Sequence, residues 1–474
     1  MRRRVTHRAL AIATLAFATL ACATISSAQE GRPCALEFRG VVRGGVLTTA
    51  MKVFSNPDGS KRTYISGGVD ATCAGQGNRL LADSAEHYAD RGELILIRRV
   101  RYTDSRVRMT SNQMVYYTNE ERLHATGSVQ GTTDGGTRFA GPEMTYLRAR
   151  EGVRAVSAWR APGRPTVWLA PQPREASAMD VRSRAAGRRS APAPAPVDTV
   201  QVIGDVVSSE NDSLVWAVGA VRITRTDLRA TADSARMDQG IGLAQLRRAP
   251  RIVGTGERSY TMVATEIDLW SRDEQLERVR GHGEGRIDAD SLVLRADTLD
   301  LRLVDQEMDR VQAWGGRAHA DGTAQQMEAD SLDLRLPRQR LEEVRAIGEA
   351  VTRSRPDTAT IRSDEMDWIA GDTVIARFET ITPPGDTAET TRLRDVVSSG
   401  AARAFYQVAA NDGDPTMPNL SYNRGRRITV NFTEGTVRDV LVEEKASGLY
   451  LEAPKARADS TRAPVPPGPA RRVP

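Results

Sequence analysis

A pattern that recurs about every 32 residues restricts the possible folds of this sequence more than any other feature. Five similar segments have second residues that are 32, 32, 33 and 34 positions apart, and they begin at Ala232, Ala264, Ala296, Ala329 and Ser363. A second landmark follows each segment, at spacings of 33, 32, 33 and 33 positions: Leu243, Leu276, Met308, Leu341 and Val374. Two landmarks that keep one period indicate a repeat architecture, and a looser version of the unit occurs in residues 82–153.

Each repeat has the alternation of two β-strands joined by a short turn. Leu332, Leu334 and Leu336 alternate with polar residues, as a strand with one apolar face requires. Short polar stretches such as residues 305–307 separate this type of strand from its partner. The sequence therefore predicts an all-β protein of stacked antiparallel hairpins, because a single hairpin cannot bury its apolar face. Asp330 is two residues before Leu332, so regular alternation would place it on the apolar face with the leucines. This position indicates either a bulge or a place at the rim of the apolar face.

Composition divides the chain into five segments. Residues 171–198 are rich in Pro, Ala and Arg and predict an extended linker, and residues 456–474 predict a disordered tail. The repeats on the two sides of the linker predict two β modules, at 31–170 and 199–455. Residues 1–28 are a predicted signal peptide.

The first 28 residues carry the features of an export signal. Three arginines, Arg2–Arg4, precede an apolar run that is short for a membrane-spanning helix, and small residues precede a cleavage point after Ala28. A permanent anchor and lipidation of Cys22 are the two alternatives to cleavage at this point. In each case we predict that the chain is exported.

The cysteines that follow the signal are Cys34 and Cys73. An even number of cysteines in an oxidising compartment predicts a disulfide between them, which closes a loop of about 40 residues. Two free buried thiols are the alternative.

Composition and charge exclude several classes of function. Charged residues make up 27% of the chain and the mean hydropathy is −0.43, values that exclude a multi-span membrane protein. The net charge of +5 falls to about +1 without the arginines of the first 28 residues. We therefore predict no nucleic-acid partner.

The sequence contains no recognisable catalytic or metal-binding pattern. Four histidines of the predicted mature chain lack the spacing of metal ligands: His87, His124, His282 and His319. Carboxylates such as Asp300 and Asp333 recur with the repeat, whereas an active site is needed once. We therefore interpret them as the outward polar face of the strands, and predict no enzymatic activity, no metal and no cofactor.

An inward row of aliphatic side chains is the candidate functional feature. The residues predicted to share this row are Met237, Ile267, Leu269, Leu299, Leu301, Leu332, Leu334, Met366 and Trp368. They form either a closed core or an open groove in which a lipid tail gains about 0.8 kcal/mol per buried methylene. Outward arginines near the rim, Arg302, Arg335 and Arg345, are either phosphate ligands or solubilising side chains.

The repeat unit resembles the OstA-like N-terminal domain, the fold of LptA, LptC and the N-terminal periplasmic part of LptD. The residues that carry the resemblance are Leu81–Val129, Val218–Val351 and Tyr422–Tyr450. The resemblance implies two antiparallel β-jellyroll, or "β-taco", modules, each a V of two sheets with an interior that holds acyl chains.

The resemblance further implies a periplasmic protein that binds or bridges lipid in lipopolysaccharide transport and outer-membrane assembly. Its expected partners are lipopolysaccharide or a similar lipid and related jellyroll transport proteins of the LptC and LptD type, joined by pairing of edge strands. Association with the outer membrane is left open. A structural or adhesive β-solenoid and a β-helix enzyme that acts on polysaccharide are the alternative functions.

Overall fold

The computed structural model describes residues 34–453, except for 151–153, 171–198, 256–258, 273–274, 290–291, 324, 357–359, 383–389, 411–414 and 434–435. The predicted signal peptide with Cys22, the predicted linker and the predicted tail lie outside the described residues.

The described residues form 32 β-strands and one short 3-10 turn, Pro337–Gln339. The first sixteen strands are Leu36–Arg39 (β1), Val42–Arg43 (β2), Val46–Leu47 (β3), Ala50–Ser55 (β4), Lys61–Ser66 (β5), Val69–Cys73 (β6), Arg79–Ala82 (β7), Ser84–Tyr88 (β8), Glu93–Thr103 (β9), Val107–Tyr117 (β10), Arg122–Thr133 (β11), Arg138–Leu147 (β12), Ala158–Pro162 (β13), Thr166–Leu169 (β14), Val200–Ile203 (β15) and Val206–Glu210 (β16). The other sixteen are Leu214–Thr224 (β17), Leu228–Asp238 (β18), Leu243–Arg247 (β19), Arg251–Gly254 (β20), Tyr260–Val263 (β21), Glu266–Arg272 (β22), Gln275–Ala289 (β23), Leu292–Val304 (β24), Glu307–Asp321 (β25), Gln325–Arg335 (β26), Glu343–Ser354 (β27), Asp367–Ile381 (β28), Thr390–Val408 (β29), Asn419–Thr433 (β30), Thr436–Glu443 (β31) and Ser447–Leu451 (β32).

The prediction of an all-β protein is confirmed. Thirty strands join into one sheet, and β2 and β3 form a separate hairpin. Each strand pairs with its neighbours in the antiparallel sense, for example β24 with β25 and β25 with β26. Antiparallel pairing throughout the described ladder is inconsistent with a parallel β-helix, in which successive rungs run parallel.

The sheet continues from one side of residues 171–198 to the other. Strand β14 pairs with β15, and β13 pairs with β16. The predicted modules 31–170 and 199–455 are therefore not separated by a break in the strand ladder.

A register shift divides each long strand into two halves that lie in different walls of the fold. In β26 the shift lies between Glu328 and Ser331, where the strand pairs with β27. Ala329 and Leu332 both point into the core although they are three residues apart. Asp330 lies between them at the bend, so the bulge explains why Asp330 is not on the apolar face although it is two residues before Leu332.

Glycines in the left-handed region form many of these bends. Gly348 has φ +85° and is followed by Glu349 at +44°. A Cβ atom at Gly348 would lie 2.2 Å from Oδ2 of Asp330, so this position excludes larger residues. The same glycine and aspartate contact recurs at Gly315 with Asp297. The repeating Asp and Gly of the sequence thus build the corner at which each strand turns from one wall into the other.

The two walls are lined by rows of apolar residues that lie directly opposite one another on successive strands. We name them wall A and wall B. Wall A contains the row Val215, Met237, Ala244, Leu269, Val279, Leu301, Val311, Leu334, Val344, Ala376, Val396 and Val430. Wall B contains the row Ile223, Ala230, Ile252, Met262, Ile287, Leu294, Ala320, Met327, Thr352, Ile369 and Ala404. Apart from Thr352, which is polar and half-buried, the residues of both rows belong to one core or pack against it, so the walls enclose a common interior.

The predicted register of Met366 and Trp368 is wrong. The residues that continue the wall A row past Val344 and Ala346 are Ala376 and Val374. Trp368 pairs instead with Arg353 and Phe405, in the half of β28 that belongs to wall B. The sequence pattern around Trp368 resembles the repeat, but β28 places its wall A half farther along the chain.

Candidate functional site

The predicted inward row forms the centre of the core. Side chains of the row are 0–5% exposed: Met237, Ile267, Leu269, Leu299, Leu301, Leu332 and Leu334. Met366 and Trp368 are half-buried, and Trp368 stacks on Phe405 with ring centroids 6.3 Å apart. Leu334 of the row also lines a pocket.

This pocket, of about 430 Å³, lies between the walls in the second half of the sheet. Wall A contributes Leu334 and Val344, and wall B contributes Ala320 and Met327. The outer part of the pocket is lined by apolar side chains near the strand ends: Leu292, Met308, Leu336, Leu341, Phe378 and Leu393. We name this space the mouth pocket, since it lies at the free ends of the walls, opposite the glycine corners.

The sequence analysis missed most of the mouth pocket. Leu292, Leu341, Phe378 and Leu393 are half-buried, although they pack against the core. Their half-exposure follows from their positions near strand ends, where one neighbouring strand is missing or bends away. Leu341 was already visible as a landmark of the repeat, so the sequence did contain one signal of the pocket.

The rim of wall A is shaped by backbone hydrogen bonds around the 3-10 turn. The amide of Leu336 donates to the carbonyl of Asp309, and the amide of Phe378 donates to the carbonyl of Glu342. Gln339, in the turn, has φ +57° and lines both the mouth pocket and a smaller pocket of about 130 Å³. The smaller pocket is also lined by Tyr260 and Leu303. The two pockets therefore adjoin at Gln339.

The first half of the sheet is closed by a buried polar cluster. The carboxylate of Asp104 accepts hydrogen bonds from the hydroxyls of Tyr102 and Tyr146, at 2.9 and 3.1 Å. It also accepts from the amides of Arg106 and Val107, at 2.8 and 2.7 Å. Burial raises the pKa of Tyr102 and of Tyr146, so both hydroxyls remain protonated donors.

Arg148 links this cluster to the neighbouring loops. Its Nε lies 3.9 Å from Asp104, and Nη1 donates to Oε1 of Gln76 at 2.8 Å. Gln76 in turn donates to Glu121 at 3.1 Å. No element of this cluster was foreseen from the sequence, because its members come from strands and loops that are distant in the chain.

Cys34 and Cys73 are joined by a disulfide beside the polar cluster, with Cα atoms 5.1 Å apart. The side chain of Asn78 donates to Sγ of Cys73 at 3.1 Å, and the Tyr116 hydroxyl lies 3.4 Å from the same sulfur. The disulfide therefore ties the segment just before β1 to the last residue of β6.

The outer face of wall A carries arginines and carboxylates in alternating register. Asp300 is 2% exposed and is held by Arg278 and Arg280, with shortest distances of 2.5 and 2.6 Å. Asp333 is paired with Arg310 at 2.5 Å. The recurring carboxylates predicted for the outer face are thus partners of arginines on adjacent strands.

The histidines have separate environments. His319 lies 3.4 Å from Glu328, and Nδ1 of His124 lies 3.1 Å from the Thr145 hydroxyl. Burial lowers the pKa of His87, which packs against Phe38. In the described ranges, no three His, Cys, Asp or Glu side chains come close enough together to hold a metal ion.

Among the residues with described coordinates, no helix has the length and apolar character needed to cross a membrane. Comparison with known proteins found no family model and no curated protein that matches the chain.

Proposed function

We propose that this protein carries lipid in the periplasm, as an OstA-like component of lipopolysaccharide transport and outer-membrane assembly. The observation that carries the proposal is the mouth pocket, an apolar space of about 430 Å³ that opens between two walls of one core. Its volume is in the range of small-molecule sites, about 300–1,000 Å³. The strands on the two sides of residues 171–198 correspond, in this proposal, to two jellyroll modules built from hairpin repeats.

The lining of the mouth pocket suits an acyl chain. Leu292, Phe378 and Leu393 remain half-exposed at its opening. An acyl chain that covers them removes apolar surface from water at a gain of about 25 cal/mol per Å². Polar side chains such as Gln325 and Gln326 lie at one side of the pocket, where a head group leaves the interior. No catalytic group is needed for this activity.

A charge placed at the mouth should remove lipid binding. In the double variant Leu341→Asp and Leu393→Asp, two carboxylates replace apolar contacts of the tail, and we expect the affinity for a fluorescent neutral acyl probe to fall about tenfold or more. Both positions are half-buried at the rim, so the sheet has room to accommodate them. The measurement is a fluorescence titration of purified, folded protein.

The control for this titration is Ile241→Asp, which introduces a carboxylate at a turn residue that is 68% exposed and lies outside the pocket. It should bind the probe as the unmodified protein does. If the control and the double variant bind the probe with equal affinity, the mouth pocket is not the acyl site.

The sheet also exposes apolar edge strands, where we propose that related jellyroll proteins add to it. Among the described strands, β4 pairs only with β5, and it presents Met51, Val53 and Phe54 at 48–63% exposure. At the other end, Leu449 and Leu451 of β32 are 57% and 51% exposed. Exposed apolar edges are a hazard for a monomer and a suitable joint for pairing with another sheet.

A photoreactive amino acid at Val53 should capture such a partner in cells. We expect a cross-linked product with an envelope protein of jellyroll type, detected by mass spectrometry. The same photoreactive residue at Ile241 should give none, because that turn is not a sheet edge. Absence of the product at Val53, or the same product at both positions, would contradict edge pairing through β4.

A further inference from the structure

Four arginines lie directly opposite one another on four successive strands of wall A. Arg278 of β23 is paired with Arg302 of β24, Arg302 with Arg310 of β25, and Arg310 with Arg335 of β26. We name this row the arginine ladder. Neighbouring strands are about 4.8 Å apart, so the ladder spans roughly 15 Å of the outer face.

Like charges directly opposite each other on neighbouring strands destabilise a sheet. Two members of the ladder are neutralised, Arg278 by Asp300 and Arg310 by Asp333. Arg302 and Arg335 are exposed and form no ion pair within the part of the chain that has described coordinates. The ladder therefore holds two unneutralised positive charges in fixed positions, with another arginine on each side of Arg302.

Nearby charges do not neutralise this excess. Glu343 lies opposite Arg335, but its carboxylate is bound by Arg345 at 3.1 Å and by Arg377 at 3.4 Å. The hydrogen bond from Arg310 to Asp333 raises the pKa of that arginine, and Asp309, in the bulge beside Arg310, makes a smaller contribution in the same direction.

Tryptophan side chains contact the arginine ladder at its Arg278 end. Trp270 is the next residue of the same row, opposite Arg278, with its ring centroid 5.1 Å from that guanidinium. Arg280, which also binds Asp300, lies between Trp270 and Trp314 at 5.9 and 5.8 Å. These contacts hold the guanidinium groups of Arg278 and Arg280 in place beside Arg302.

The ladder runs along the rim of the mouth pocket. Arg335 lies between Leu334 and Leu336, both of which line the pocket from the opposite face of the strand. Arg302 is one residue from Leu303, which lines the adjoining smaller pocket. A strand advances about 3.4 Å per residue, and each ladder residue lies no more than three residues from its strand end, so the ladder lies within roughly 10 Å of the strand ends over which a head group would emerge.

We propose that the arginine ladder binds the phosphate of the lipid whose acyl chain occupies the mouth pocket. The inference rests on the proposed function and adds the side chains that hold the phosphorylated head group of the cargo. The planar guanidinium donates two parallel hydrogen bonds to phosphate oxygens, and Arg302 and Arg335 have donors available for this purpose. Phosphate binding also removes the repulsion between neighbouring arginines.

The test compares two lipids with identical acyl chains, phosphatidic acid and diacylglycerol, each in neutral detergent micelles. We expect the full chain to bind phosphatidic acid more tightly. In the double variant Arg302→Gln and Arg335→Gln, the affinity for phosphatidic acid should fall about tenfold or more, while the affinity for diacylglycerol stays unchanged. The matched control is Arg222→Gln with Arg229→Gln, two exposed arginines that line neither the mouth pocket nor the smaller pocket.

Three further results decide the inference. Rising salt should weaken the binding of phosphatidic acid and not that of diacylglycerol, a measurement that needs no variant. Inorganic pyrophosphate should bind much more weakly than phosphatidic acid, since it lacks the tail; equal affinity would make the ladder a site for free phosphate. If the arginine variant binds phosphatidic acid as the unmodified protein does, the ladder is not the phosphate site, and the proposed function is unaffected. If the unmodified chain binds neither lipid, both the phosphate site and the proposed function are wrong.

Discussion

Replacing Asp104 with alanine is expected to lower the free energy of unfolding of the first part of the sheet by about 3–5 kcal/mol. The carboxylate is 1% exposed and accepts four hydrogen bonds, two from tyrosine hydroxyls and two from backbone amides. Alanine leaves these donors buried without an acceptor, and it removes one of the two carboxylates that lie within 4 Å of the Arg148 side chain, the other being Glu121. Urea unfolding followed by the near-ultraviolet circular dichroism of the tyrosines reports on this region directly.

The matched control is Asp70→Ala. Asp70 pairs with Arg79 at 2.7 Å, but that arginine is 57% exposed, so removal of the pair should cost about 1 kcal/mol or less. If the two variants unfold at the same urea concentration, the polar cluster does not stabilise the closed part of the sheet.

The contrast between the two halves of the sheet bears on the proposed function. In the first half, aromatic side chains such as Tyr102, Phe139 and Trp159 fill the interior, and Asp104 satisfies the hydroxyls that reach the opening. In the second half the interior is mainly aliphatic, and the walls part at the mouth pocket. In the proposed function, the lipid tail would therefore lie in the pocket lined by residues between 289 and 393, and the first half would be the closed end of the sheet.

The sequence predicted the inward row well because alternation and period are local properties. Leu299, Leu301, Leu332 and Leu334 occupy neighbouring positions of the core, as their spacing indicated. The same argument failed for Trp368, since the strand that contains it extends across the corner and its wall A half lies six to eight residues farther along. Register depends on where the bulge lies in each strand, and the bulge is fixed by the partner strand.

Alternation could not show whether the row was core or groove, because both require the same inward apolar face. The distinction depends on the distance between the two walls, which is a tertiary property. The half-exposed Phe378 and Leu393 mark the opening, and their role becomes visible only when wall B is placed opposite them. The arginine ladder was missed as a unit for the same reason: Arg302 and Arg335 are 33 positions apart in the chain and become members of one row only through the pairing of β24, β25 and β26.

Removal of the disulfide is expected to destabilise the first part of the sheet by about 4 kcal/mol. The bond joins residues 39 positions apart, and closure of such a loop removes conformational entropy from the unfolded chain by roughly that amount. The loop contains β4 and β5, and it holds β1, which pairs only with β6, at the edge of the sheet. Loss of the bond should therefore release this edge first.

The double variant Cys34→Ser and Cys73→Ser isolates this constraint from local chemistry. A serine hydroxyl at position 73 can still accept the hydrogen bond from Asn78 and contact the Tyr116 hydroxyl, so the polar neighbours keep a partner. In non-reducing buffer the variant should unfold at lower urea, and limited proteolysis should cut first within residues 34–66. A reductant should shift the unmodified protein to the midpoint of the variant and leave the variant unchanged. Coincident midpoints for the oxidised protein and the variant would show that the cross-link contributes nothing to the stability of this edge.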